Sequence, residues 1–73
     1  MNITQEQLFD ICSQTATYDS RGILVLRRGQ NMFSRLYRIN PHLAGHITNT
    51  EFDPFYLDSN IRRFMDELVK FVK

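Results

Sequence analysis

Apolar residues recur along the N-terminal stretch at Leu8, Ile11, Cys12 and Ala16, the spacing of one face of a helix, with Phe9 widening the stripe. Thr4-Gln5-Glu6-Gln7 precedes them in the form of a capping box, in which Thr4 and Gln7 satisfy each other's backbone donors. Glu6 adds a negative charge in the first turn, where the helix dipole favours it. The pattern predicts a first helix over residues 5–17 that ends near Tyr18-Asp19-Ser20.

The pattern then changes. Ile23-Leu24-Val25-Leu26 is a short β-branched run bounded by Gly22 and Gly29, which predicts a strand within residues 21–28. A short buried helix has the same signature by period alone. Gly29-Gln30-Asn31 supplies turn residues, and residues 32–39 alternate, with Phe33, Arg35, Tyr37 and Ile39 on one side. Two such runs joined by a Gly/Asn turn predict an antiparallel hairpin. Asn40-Pro41 ends the second run because proline removes a ladder donor, and His42-Leu43-Ala44-Gly45 completes a turn. Residues 46–52, polar and Thr-containing, form a candidate third, edge-type strand.

Beyond the Asp53-Pro54 loop, Asp58 or Ser59 is placed to cap a last helix. Ile61, Phe64, Met65, Leu68, Val69, Phe71 and Val72 give it a broad apolar stripe, with Arg62, Arg63, Asp66, Glu67, Lys70 and Lys73 opposite. The expectation is one α+β domain spanning residues 1–73, in the order α-β-β-(β)-α. An antiparallel hairpin or three-stranded sheet would pack against two helices.

Composition narrows the function classes. With 73 residues the core is small and stability marginal. Cys12 is the only cysteine, which points to a reducing compartment and a cytoplasmic location. No secretory leader is expected from the polar opening residues, and the longest apolar run is too short to cross a bilayer. The net charge of +1 hides a strong asymmetry: −3 over residues 1–19, +5 over residues 20–50 and −1 over residues 51–73. Every cation of the middle segment is Arg, the side chain suited to forked contacts with carboxylate or phosphate.

Candidate chemistry is sparse. Cys12 lies on the apolar stripe and reads as a small buried hydrophobe. His42 and His46 are four apart, a chelating interval on a helix, but Pro41 and Gly45 argue against a helix there and no further ligand lies near in sequence. The glycines are isolated turn residues, not a phosphate loop. Asp53 and Asp58 read as turn and cap residues. No catalytic residues, metal or cofactor are assigned, and no enzymatic activity is expected. The basic hairpin carries the functional reading: Arg27, Arg28, Phe33, Arg35, Tyr37 and Arg38 are the candidate partner-binding residues. In the competing structural reading, Phe33 and Tyr37 pack into the core and the arginines are solvated. Phe55, Tyr56 and Leu57 either cover the end of the core or project as anchors.

Asp53-Pro54-Phe55-Tyr56-Leu57-Asp58-Ser59-Asn60-Ile61, with the helix that follows, resembles the tails of small bacteriophage-encoded proteins. That resemblance implies a protein that binds and redirects a host machine such as RNA polymerase or a nuclease, in the host cytoplasm. The leading expectation is therefore a small regulator or inhibitor that docks on a larger partner with an acidic surface. The alternative is a small nucleic-acid-binding domain using the Arg/aromatic hairpin. The α-β-β-β-α order matches the double-stranded-RNA-binding topology, but Ile61-Arg62-Arg63-Phe64 lacks the clustered lysines that such domains carry there. Homodimerisation through helix 61–72 is a further option raised by its wide stripe.

Overall fold

The computed structural model describes residues 1–73. Four helices and a two-stranded antiparallel sheet make it an α+β fold: α1 (Gln5–Cys12), β1 (Thr17–Tyr18), β2 (Leu24–Leu26), α2 (Arg28–Ile39), α3 (Pro41–Ile47), a 3-10 turn (Asp58–Asn60) and α4 (Ile61–Val69).

The capping box at α1 forms as the sequence predicts: Gln7 N donates to Thr4 Oγ1 (3.1 Å) and Thr4 N to Gln7 Oε1 (2.9 Å). The helix stops at Cys12, five residues earlier than its stripe suggested. Arg28 explains the early stop, because its guanidinium donates to the carbonyls of Cys12 (2.8 Å) and Gln14 (3.0 Å). A cation at the negative end of a helix, holding carbonyls that no further turn would satisfy, is a C-terminal cap.

The hairpin exists, but between other partners than the expected ones. β2 pairs with β1, Thr17 opposite Leu26 and Tyr18 opposite Leu24. The Asp19 carboxylate closes the turn by accepting from Arg21 N (2.8 Å) and Ile23 N (2.9 Å), and Gly22 takes the left-handed conformation at φ +80°.

The expected second strand over residues 32–39 is instead α2. The helical period collects Met32, Phe33 and Leu36 on the buried side, whereas alternation would have put charge or polarity on both sides. Gly29 is therefore not a turn residue but part of the first helical turn. A Cβ there would run into the Pro54 carbonyl oxygen and lie 2.7 Å from Asp58 Oδ1. Contrary to expectation, neither Asp58 nor Ser59 caps the last helix. Asp58 instead reaches across to accept from Gly29 N (3.1 Å) at the start of α2.

Asn40-Pro41 is likewise a helix start. Asn40 Oδ1 accepts from Leu43 N (3.0 Å) and Pro41 occupies the first turn of α3, where its missing donor costs nothing. The candidate third strand at 46–52 does not form, because Ile47 is buried on α3 and the chain then turns. Asp53 organises that turn, its carboxylate accepting from Asn49 N and Phe55 N, both at 2.8 Å.

The core gathers Ile3, Ile11, Met32, Phe33, Leu36, Leu43, Ala44, Ile47, Phe64 and Leu68, drawing on every helix. Ile3 forms a parallel bridge with Val72, which ties the two ends of the chain together. The stripe of α4 is spent largely on this core: Phe64 and Leu68 are fully buried, and Ile61 and Met65 pack against it. No helix is long and apolar enough to cross a membrane.

Candidate functional site

The six residues singled out from the sequence all lie on α2 or at its N-cap, not on a hairpin face. Three of the four arginines are turned inward. Arg27 donates to Asp58 Oδ1 (3.1 Å) and to the Phe55 carbonyl. Arg28 holds the end of α1. Arg35 pairs with Asp10 at 3.4 Å. The carboxylates come from the flanking acidic segments, distant in sequence and adjacent in space. Arg38 is exposed, and its guanidinium makes no ion pair or hydrogen bond within the chain.

Phe33 is buried, and it joins the core to the surface. Its ring sits 6.4 Å from that of Phe64 on the inside and 6.0 Å from that of Phe55 on the outside, the latter edge-on at 78°. One helical turn on, Tyr37 is 59% exposed. Phe33, Ser34, Tyr37, Arg38 and Phe55 line a shallow cleft of about 340 Å³. Its floor is a pair of rings anchored in the core, and its rim carries two hydroxyls and the free guanidinium. The Phe55–Tyr56 pair extends the aromatic surface, ring centres 5.0 Å apart. Both readings of the 53–57 loop hold in part: Phe55 covers the core, while Tyr56 and Leu57 project.

Sequence reasoning named Phe33, Tyr37 and Arg38 and missed Ser34 and Phe55 as their neighbours. The i, i+4 interval between Phe33 and Tyr37 was the available signal, had the segment been read with a helical period.

A second groove, about 390 Å³, runs between α1 and α4 and is lined by Gln5, Leu8, Phe9, Cys12, Val69 and Val72. Only Gln5 offers it polarity, so nothing there fixes a ligand's orientation. Burial pushes the Cys12 thiol up, and Arg28 draws it part of the way back. Cys12 is thus a half-buried protonated thiol, not an activated nucleophile. His42 and His46 do share a helix, contrary to expectation. Both are exposed, and His46 lies edge-on to Phe71 with ring centres 5.7 Å apart. No group of three or more His, Cys, Asp or Glu side chains comes together in a way that could hold a metal ion.

The third feature has no counterpart in the expectations. Tyr18, Ile23, Leu24, Val25 and Leu26 stand 40–61% exposed on the hairpin. The run read as a strand is one, and its side chains are exposed on both faces.

No protein-family model, curated protein or solved structure matches this chain.

Proposed function

We propose that the chain is a non-catalytic protein-binding module that docks on a larger partner through the α2 cleft. The occupant would be an acidic segment carrying an aromatic or apolar anchor. One observation carries this reading: the only arginine of the basic segment left without an intramolecular ion pair or hydrogen bond stands on the rim of an aromatic cleft. An apolar anchor fills the space above Phe33 and Phe55, and a carboxylate beside it meets Arg38 as a forked, charge-assisted pair. Because Phe33 is held by Phe64, the cleft is formed before the partner arrives, which lowers the ordering cost of binding. The likeness of residues 53–61 to small bacteriophage proteins supports a host nucleic-acid-handling machine, such as RNA polymerase or a nuclease, as the partner, and its modulation as the outcome.

The test is affinity capture from a host lysate, with and without nuclease, run side by side with wild type and the double variant Tyr37→Ala, Arg38→Glu. A protein retained by the wild type and lost with the variant is the expected result. Retention that the variant leaves unchanged contradicts the cleft. Loss of all captured material on adding nuclease favours nucleic acid as the ligand.

A further inference from the structure

The α2 cleft has two walls of unequal origin. Phe33, Ser34, Tyr37 and Arg38 come from one helix, which fixes them relative to one another. Phe55 alone forms the opposite wall, and it stands on the irregular segment 53–57. A side chain on such a segment keeps its place only where its backbone is held. Phe55 is held on both sides. Its N–H donates to Asp53 Oδ1 (2.8 Å), and its carbonyl accepts from Arg27 Nη2. The other terminal nitrogen of that guanidinium, Nη1, donates to Asp58 Oδ1 (3.1 Å), which also accepts from Gly29 N (3.1 Å). One planar fork thus ties the start of α2 to two points of the loop. Gly29 permits the approach, since a Cβ there would run into the Pro54 carbonyl oxygen.

We infer that Arg27, Asp58 and Gly29 form a latch that sets the far wall of the α2 cleft, with Arg27 a positioning residue for the cleft and not a contact for the partner. What the cleft binds rests on the function proposed above; the latch is a property of the free chain. Three observations carry it. Every other hydrogen bond made by residues 53–57 stays within residues 49–60, so the polar links from this loop to α2 run through Arg27 and Asp58 alone. The ring contact between Phe33 and Phe55 does not replace them. Aromatic pairs are favourable over centroid separations of about 4.5–7 Å, so a contact at 6.0 Å leaves the Phe55 ring free to shift. The Arg27 and Asp58 side chains are also 31% and 45% exposed, where an ion pair adds little to stability. What a forked contact supplies there is geometry.

Gly29→Ala and Arg27→Gln test the latch without altering any residue that lines the cleft. The first puts a methyl group between α2 and Pro54, and the second removes the charged fork while keeping much of its stem. NMR of the free protein reads the ring contacts as nuclear Overhauser effects. Both variants should lose the contact from Phe33 to Phe55 and keep the one from Phe33 to Phe64. General loosening of the fold would weaken the two together, so joint loss overturns the latch, as does retention of both contacts in the folded variants. The wild type alone gives a readout that no unfolded variant can confuse. The Arg27 Nη protons should be resolved and slow to exchange while those of Arg38 average, and averaging at both arginines overturns the latch. Affinity for a capped peptide alternating acidic and aromatic residues should fall about threefold to tenfold in either variant, the cost of ordering one large side chain during binding. Variants that lose the Phe33–Phe55 contact yet bind the peptide as tightly as wild type overturn the positioning role. A wild type that does not bind the peptide contradicts the proposed function, and the ring contacts still decide the latch.

Discussion

Four arginines of one short segment end in four different circumstances, and single contacts decide which. Arg27 joins the N-cap of α2 to Asp58, Arg28 closes the end of α1, Arg35 meets Asp10, and Arg38 makes no ion pair or hydrogen bond in the chain. Arg28→Ala leaves two carbonyls without their donor and should cost about 1–3 kcal/mol. Arg38→Ala removes an exposed side chain and should stay within about 0.5 kcal/mol of wild type. Urea melts of the two variants separate these outcomes, and equal losses would contradict the division between structural and free arginines. Cys12 gives a second residue-level check. Its raised pKa keeps the thiol protonated at neutral pH, so labelling of the native protein should be slow and should accelerate on unfolding. The linkage has a definite sign. The folded state holds this proton more tightly than the unfolded state, so the contribution to stability is intact below the unfolded thiol's pKa. It declines as pH rises from there through the folded value. Fast labelling of the native protein, or stability that rises over that alkaline window, would contradict this environment.

At the scale of elements, the sequence was legible where a cap and a period agreed. Thr4 with Gln7 announced α1, and the stripe from Ile61 to Leu68 announced α4. Residues 28–39 were legible only with the right period. Arg35, Tyr37 and Ile39 alternate well enough to pass for a strand, and Gly29 passes for a turn. The decisive facts are tertiary: Asp58 supplies the acceptor for the Gly29 N–H, and Phe64 supplies the packing for Phe33. Neither can be read from residues 28–39 alone. Asn40-Pro41 is ambiguous in the same way, ending one element and capping the next. The exposure of Ile23-Leu24-Val25-Leu26 was hidden for the opposite reason, since an unbroken apolar run has the pattern of a strand buried on both faces. α4 carries the clearest energetic test. Leu68 is fully buried at the centre of its stripe, so Leu68→Ala should remove about 2–5 kcal/mol, a large fraction of what so small a domain holds. Coincident denaturant melts for variant and wild type would mean that α4 does not face the core.

At the scale of the whole molecule, the charge asymmetry along the chain is folded away. Acids from both flanks, Asp10 and Asp58, close on the basic middle, and the Ile3–Val72 bridge holds the two flanks together. What the fold leaves unpaired in the basic middle segment is therefore informative: a free guanidinium beside an aromatic cleft. The proposed function rests on that guanidinium and its cleft. The most direct test is an NMR titration of the ¹⁵N-labelled chain with a short capped peptide alternating acidic and aromatic residues, against a control peptide in which the acids are replaced by lysine. The proposed function predicts saturable shifts of the amides at 33–38 and 55–56 with the acidic peptide, lost in Arg38→Glu and absent with the lysine peptide. Equal response to both peptides, or shifts centred elsewhere on the chain, would contradict the assignment of the α2 cleft as the docking site.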